Sequence, residues 1–187
     1  MNPTPLMKFG LAIVFSLFLC CGLSLRAADL DPALQAKLDG QVKLAQTLAS
    51  NPVLINAVKA QNAALPPELA AMTQDKWKTA SVLDPVIRKL SKNEAAEYLR
   101  ANKDAAVSEA FVSDAEGFKV GFLGKTSAWC HKGKPKHDLP MSGKNWQGEI
   151  EVDASSGVQQ VQISVPVLDG GKPIGSLVVG LAISRLK

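Results

Sequence analysis

Near residue 106 the spacing of apolar residues changes from a helical step of three or four to a step of two, and it does not change back. A chain patterned this way folds as helices packed on an antiparallel sheet, because strands joined by short turns leave no room for the crossovers that a parallel sheet needs. Three dipeptides punctuate the first half: Asp31-Pro32, Asn51-Pro52 and Asp84-Pro85. Each sets an N-cap residue before a proline at the first helical position, where a backbone N–H would have no partner in any case. Leu34, Leu38, Val42, Ala45 and Leu48 then form one apolar stripe, which predicts a long helix from Pro32 to Ala49. A shorter helix is expected over Asn51 to Asn62, with Leu54 and Val58 inward and Pro66-Pro67 beyond its end. Weaker helical patterns cover Leu69 to Thr79 and Pro85 to Leu90. Ser91 and Glu94 have the spacing of a capping box ahead of a helix through Tyr98 and Leu99.

In the second half, Val107, Glu109 and Phe111 alternate with Ala110 and Val112, the run Asp114 to Gly117 supplies a turn, and Phe118, Val120 and Phe122 alternate again. Ile150 and Val152 predict a short strand, Asp153 to Gly157 a turn, and Val161, Ile163, Val165 and Val167 a long strand. Asp169-Gly170 reads as a tight turn, since both residues tolerate positive φ. A last strand from Ile174 to Ile183 follows, with Leu177, Val179, Leu181 and Ile183 on one face. The expected class is therefore α+β: a long N-terminal helix and short helices on a five-stranded antiparallel sheet.

The 187 residues suit one core, and Met1 to Ala28 reads as an export segment. Lys8 precedes an apolar run from Phe9 to Leu25, and Ala27 and Ala28 offer a cleavage position; uncleaved, the run serves as an anchor. Cleavage would remove Lys8, Arg26, Cys20 and Cys21, lowering the net charge from +4 to +2 and leaving Cys130 as the one cysteine. No internal disulfide is then possible, and a periplasmic or secreted location is expected. Export and a charge of +2 argue against nucleic acid, and the absence of a glycine-rich loop after any strand argues against a nucleotide.

The connection from Gly124 to Gly148 has no clear period and holds both histidines, Cys130, Trp129 and Trp146. Connections of that length inside a compact domain are mostly functional. Five lysines against one aspartate give it a local charge of +4, which favours a ligand carrying a carboxylate. Lys132, Lys134 and Lys136, beside Gly133 and Pro135, read as a solvated loop tip. Trp129 and Trp146 suit either the walls of a small-ligand site or packing of a roof on the sheet. Cys130, His131 and His137 could instead hold zinc or copper, although their spacing is not a standard one. Trp77 lies in the helical half, where core or interface is its usual role.

Several strings together resemble the single-module Cache family of extracytoplasmic, PAS-like sensors: Ala110-Phe111-Val112-Ser113-Asp114-Ala115-Glu116-Gly117, the Lys-Thr-Ser segment at 125–127, and Val161 through Gly175. The resemblance spans residues 29–187 and implies a PAS-like sheet whose one face, roofed by the long connection, binds a small carboxylate or amino acid without catalysis or a cofactor. It implies Lys125, Ser127, Trp129, His131 and Trp146 as contacts, with Trp77 bordering the pocket. Such modules report to a signalling protein in the membrane; here the partner is that kind of protein or a second copy held through the N-terminal helix. The alternative is an exported metal-binding or redox protein built on Cys130, His131 and His137.

Overall fold

In the computed structural model, which describes residues 30–152 and 157–187, the caps act where the dipeptides place them. The side chains of Asp31, Asn51 and Asp84 accept hydrogen bonds from the amides of Ala33, Val53 and Val86 and open α1 (Pro32–Ala49), α2 (Pro52–Ala63) and α5 (Pro85–Lys92). The stretch over Leu69 to Thr79 is two short helices, α3 (Pro67–Ala70) and α4 (Gln74–Thr79), because Thr73 caps the second afresh. The capping box is displaced. Ser91 lies inside α5 with its hydroxyl donating to Arg88 O, and Asn93 caps α6 (Glu94–Asn102) by accepting from the Ala96 amide at 3.0 Å. The expected export segment lies outside the described residues, as do residues 153–156 of the turn expected from Asp153 to Gly157. Among the described residues no helix is long and apolar enough to cross a membrane.

Five strands follow: β1 (Val107–Ser113), β2 (Lys119–Phe122), β3 (Trp146–Val152), β4 (Gln159–Asp169) and β5 (Lys172–Ala182). They form one antiparallel sheet in the order β2-β1-β5-β4-β3. The β4–β5 turn differs by one residue from expectation: Gly170 and Gly171 carry the positive φ, at 57° and 85°, and Asp169 pairs with Lys172 as the last strand position. Strand β3 starts at Trp146, ahead of the apolar pair Ile150 and Val152, and Ile183 opens a short 3-10 turn instead of extending β5. The period in β2 also breaks. A bulge between Val112 and Ser113 sends Val120 to the helical face while Phe122, opposite Phe111, faces the other way.

Two cores result. Leu38, Leu48, Leu54, Val58 and Leu99 of the helices meet Val112, Val161, Ile163, Val165, Leu177 and Leu181 on one face of the sheet. On the distal face Trp77, Ile87 and Leu90 close around Phe111, Phe122, Trp129 and Val178 at the β2 side. Gly175 marks a close crossing at the sheet: a Cβ there would stand 2.3 Å from Ser113 O.

Candidate functional site

The connection after β2 is not a bare loop. It crosses the β1–β2 turn, where His131 N donates to Gly117 O at 2.9 Å, and then forms α7 (Pro135–Met141) across β5, β4 and β3 on the distal face. Proline at the first helical position starts α7, and Pro140 lies within its seven residues, too few for a readable period. A hydrogen bond of 2.9 Å joins His137 Nδ1 and Ser176 Oγ, and the other ring nitrogen lies 3.3 Å from Ala115 O. The roof is thus fastened at two points to the sheet it covers.

Under that roof the distal face is polar where β4, β5 and β1 run side by side. Glu109, Gly180 and Gln162 occupy one rung across the three strands; Gln160 and Glu151 pair on the next toward β3. Gly180 has no side chain to fill the centre, and a cavity of about 510 Å³ opens there. Its floor is Glu109, Phe111, Gln160 and Gln162, and its roof Lys125, Thr126, Ser127, His131 and Lys136. A second space of about 360 Å³ adjoins it through Lys136, Glu151 and Gln162 and reaches Trp146.

Hydrogen bonds order the polar groups. Lys136 Nζ donates to Gln162 Oε1 at 2.5 Å, and Gln162 Nε2 donates to Glu109 Oε2 at 2.8 Å, so the amide bridges a cation and a carboxylate. Gln160 repeats the pattern between Ser108 and Glu151. Burial holds Lys136 below the usual lysine range, against the pull of Glu109 and Glu151. Beneath the roof, Lys119 is 0% exposed; its ammonium contacts His131 Nδ1 and lies 3.9 Å from the Phe111 ring centre. Burial holds it well below the lysine range, and burial together with Lys119 pushes His131 down to about 2. The imidazole stacks on Phe111 with centroids 4.8 Å apart.

The structure brings together some of the residues singled out from sequence and separates others. Lys125, Ser127 and His131 line the cavity and Trp146 the adjoining space. Lys125, however, directs its ammonium to the carbonyls of Ala80 and Lys78 at 2.8 and 3.3 Å, at the C-terminal end of α4. Trp77 and Trp129 lie in the distal core, 5.1 Å apart, with Trp77 Nε1 donating to Thr126 O at 2.7 Å; neither lines a described cavity. Cys130, His131 and His137 point to separate partners: Glu116 O, Lys119 and Ser176. Among the described residues no cluster of three metal-ligating side chains forms. Lys132 stays at the surface in an ion pair with Glu116, as a loop tip should, but Lys136 belongs to the cavity. Lys119, Glu109, Gln160 and Gln162 were not among the expected contacts.

No protein-family model and no curated protein matches the sequence. Among solved structures the chain is similar to the sensor domain of the V. cholerae histidine kinase DctB, at 14% identity and a TM-score of 0.49 over 82% of this chain and 54% of that one. It is also similar to the ligand-binding domain of the Pseudomonas aeruginosa amino acid chemoreceptor PctC in complex with GABA, at 18% identity and a TM-score of 0.46, covering 82% and 57% of the two chains. A third is the E. coli DcuS sensor domain, at 14% identity and a TM-score of 0.48, covering 83% and 96%. The structural neighbours are Cache-type sensor domains. The chain spans a little over half the length of the first two.

Proposed function

We propose that residues 29–187 are a non-catalytic Cache-type sensor domain, exported by the segment 1–28, that binds a small carboxylate or amino acid in the roofed cavity. The observation that carries this reading is the Lys136–Gln162–Glu109 array. It sets a cation and a carboxylate into one cavity of about 510 Å³, a size that falls in the range of about 300–1,000 Å³ common for small-ligand sites. A carboxylate would take the Lys136 side and an ammonium the Glu109 and Glu151 side, with Phe111 and His131 as the ring-lined wall. Ser127, and Trp146 through the adjoining space, complete the contacts.

Binding would draw the segment from Lys125 to Lys136 onto the sheet, and the change would pass to a membrane signalling protein or to a second copy through α1. Titration calorimetry and thermal melting against a panel of amino acids and short carboxylates test the reading. Saturable binding with a raised melting temperature is expected for at least one member, and an intact protein that responds to none would refute it. Sedimentation of ligand-free and ligand-saturated protein tests the partnership through α1.

A further inference from the structure

One cation near the cavity lacks a counter-charge. Lys119 forms no ion pair among the described residues; its ammonium contacts the His131 ring nitrogen Nδ1 and the face of Phe111. Glu109 on β1 and Cys130 on the crossing segment are the negative or ionisable groups that act on it, and Lys134 and Lys136 oppose them from the roof. An ammonium donates hydrogen bonds and accepts none. While Lys119 is charged, Nδ1 must therefore accept, and the ring hydrogen must sit on Nε2. That nitrogen has no hydrogen-bond partner among the described residues, and the ring it belongs to lines the cavity. His131 itself meets Lys119, Lys134, Lys136 and His137, all of which disfavour a second ring proton. With Lys119 charged, the ring is thereby left as a neutral N–H donor backed by a buried ammonium.

Resting on the cavity as the binding site, we propose that Lys119 and His131 form a recognition pair: Lys119 holds His131 with its hydrogen on Nε2, a ligand oxyanion accepts that hydrogen, and binding of the oxyanion draws a proton onto Lys119. The balance is simple. The Lys119 amine takes one proton from solvent to become an ammonium, and the oxyanion entering the cavity supplies the negative charge that its burial otherwise lacks. No covalent bond forms. The sign follows: burial in the empty protein lowers the proton affinity of Lys119, and a neighbouring anion raises it. Between those two values binding takes up a proton, so affinity for the anion falls as pH rises from the lower value to the upper and levels off above it. Lys119 is a positioning residue here, since it reaches the ligand only through His131.

The test uses the full chain with propionate and its neutral counterpart propionamide. Titration of propionate at pH 8 in buffers of different ionisation enthalpy is expected to show an uptake approaching about one proton per site. Lys119→Met, which removes a buried charge and keeps the bulk of the chain, is expected to weaken propionate at least about tenfold and to abolish the uptake, while weakening propionamide by a smaller factor. Nitrogen chemical shifts of the propionate-saturated wild type, in which Lys119 is charged, give the His131 tautomer without any variant: hydrogen on Nε2 is expected. Propionate binding without proton uptake, or a ring hydrogen on Nδ1, overturns the pairing while leaving the cavity as a binding site. Failure of propionate to bind when another panel member does overturns the oxyanion role alone. Failure of the whole panel removes the cavity reading itself.

Discussion

His137 on the roof helix and Ser176 on the central strand β5 share a buried hydrogen bond of 2.9 Å between Nδ1 and Oγ. Burial lowers the proton affinity of the His137 ring. His131 is lowered for the same reason, to about 2. These are the two histidines of the chain, so their ring proton resonances are readily followed. His131 is expected to stay flat from pH 8 to pH 5 and His137 to titrate below the ordinary value, and a titration near 6.5 in either would contradict its placement. The unfolded chain does take up these protons, starting near the ordinary value of 6.5. Stability therefore falls as pH drops below that point, for His131 all the way to its folded value. Each ring adds a slope of up to about 1.4 kcal/mol per pH unit, measurable by urea unfolding. Asp114, raised by burial, acts in the opposite sense between its ordinary 3.8 and its raised value, so the histidine slope is clearest just below pH 6.5.

Lys136 and Lys125 both border the cavity but should respond differently to removal. Lys136 donates to Gln162 within the polar array, whereas Lys125 donates to two backbone carbonyls at the end of α4. Lys136→Ala is expected to weaken a carboxylate ligand by about tenfold or more, equivalent to about 1.4 kcal/mol, with little change in melting. Lys125→Ala should instead destabilise the protein by about 1 kcal/mol and change affinity little, because the bonds it loses are internal to the fold. Calorimetry and thermal melting on the two variants decide the matter; equal losses of affinity would refute the distinction.

Two glycines of β5 separate floor from frame. A Cβ on Gly180 would meet Gln160 Oε1 at 2.9 Å and Glu109 Cβ at 3.2 Å, neighbours that include the mobile end of a side chain. Gly180→Ala should fold and lose affinity by filling the cavity floor. A Cβ on Gly175 would stand 2.3 Å from the backbone oxygen of Ser113 and 2.9 Å from Val58 Cγ1. Neither can easily retreat, so Gly175→Ala is expected to cost about 2 kcal/mol or more in unfolding experiments without any specific effect on binding.

The contrast between these residues shows what a sequence pattern can and cannot carry. Leu38 and Leu48 of α1, or Val161 and Leu177 of the sheet, occupy the faces their spacing predicts, because an apolar stripe has one stable place to go. Glu109, Gln160 and Gln162 also occupy their expected faces, but alternation marks those faces only as polar. Whether a polar face meets solvent or a roof depends on α7, whose two prolines and seven residues have no legible period. Lys119 was hidden differently: the bulge beside Ser113 turned inward a residue that simple alternation with Phe118 and Val120 would have turned outward. Trp77 and Trp129 were readable as core or as pocket wall, and the choice lay with a contact between segments some fifty residues apart.

That contact supports a last prediction, on the three tryptophans. Trp77 is fully buried, meets Phe122 edge to face at 5.7 Å and Trp129 at 5.1 Å, and donates to Thr126 O. Trp77→Phe keeps much of the packing but strands that carbonyl, and should cost about 1–3 kcal/mol. Trp77→Ala should cost about 3–5 kcal/mol and loosen the roof with the core. Trp146 stands apart, half-buried on the edge strand β3 beside the adjoining space. If the cavity is the binding site, ligand should alter the emission of Trp146 and leave that of the buried pair nearly constant. Trp146→Phe would then remove most of the ligand-dependent signal while preserving the fold, and a signal that survives in that variant would move the site toward Trp77 and Trp129.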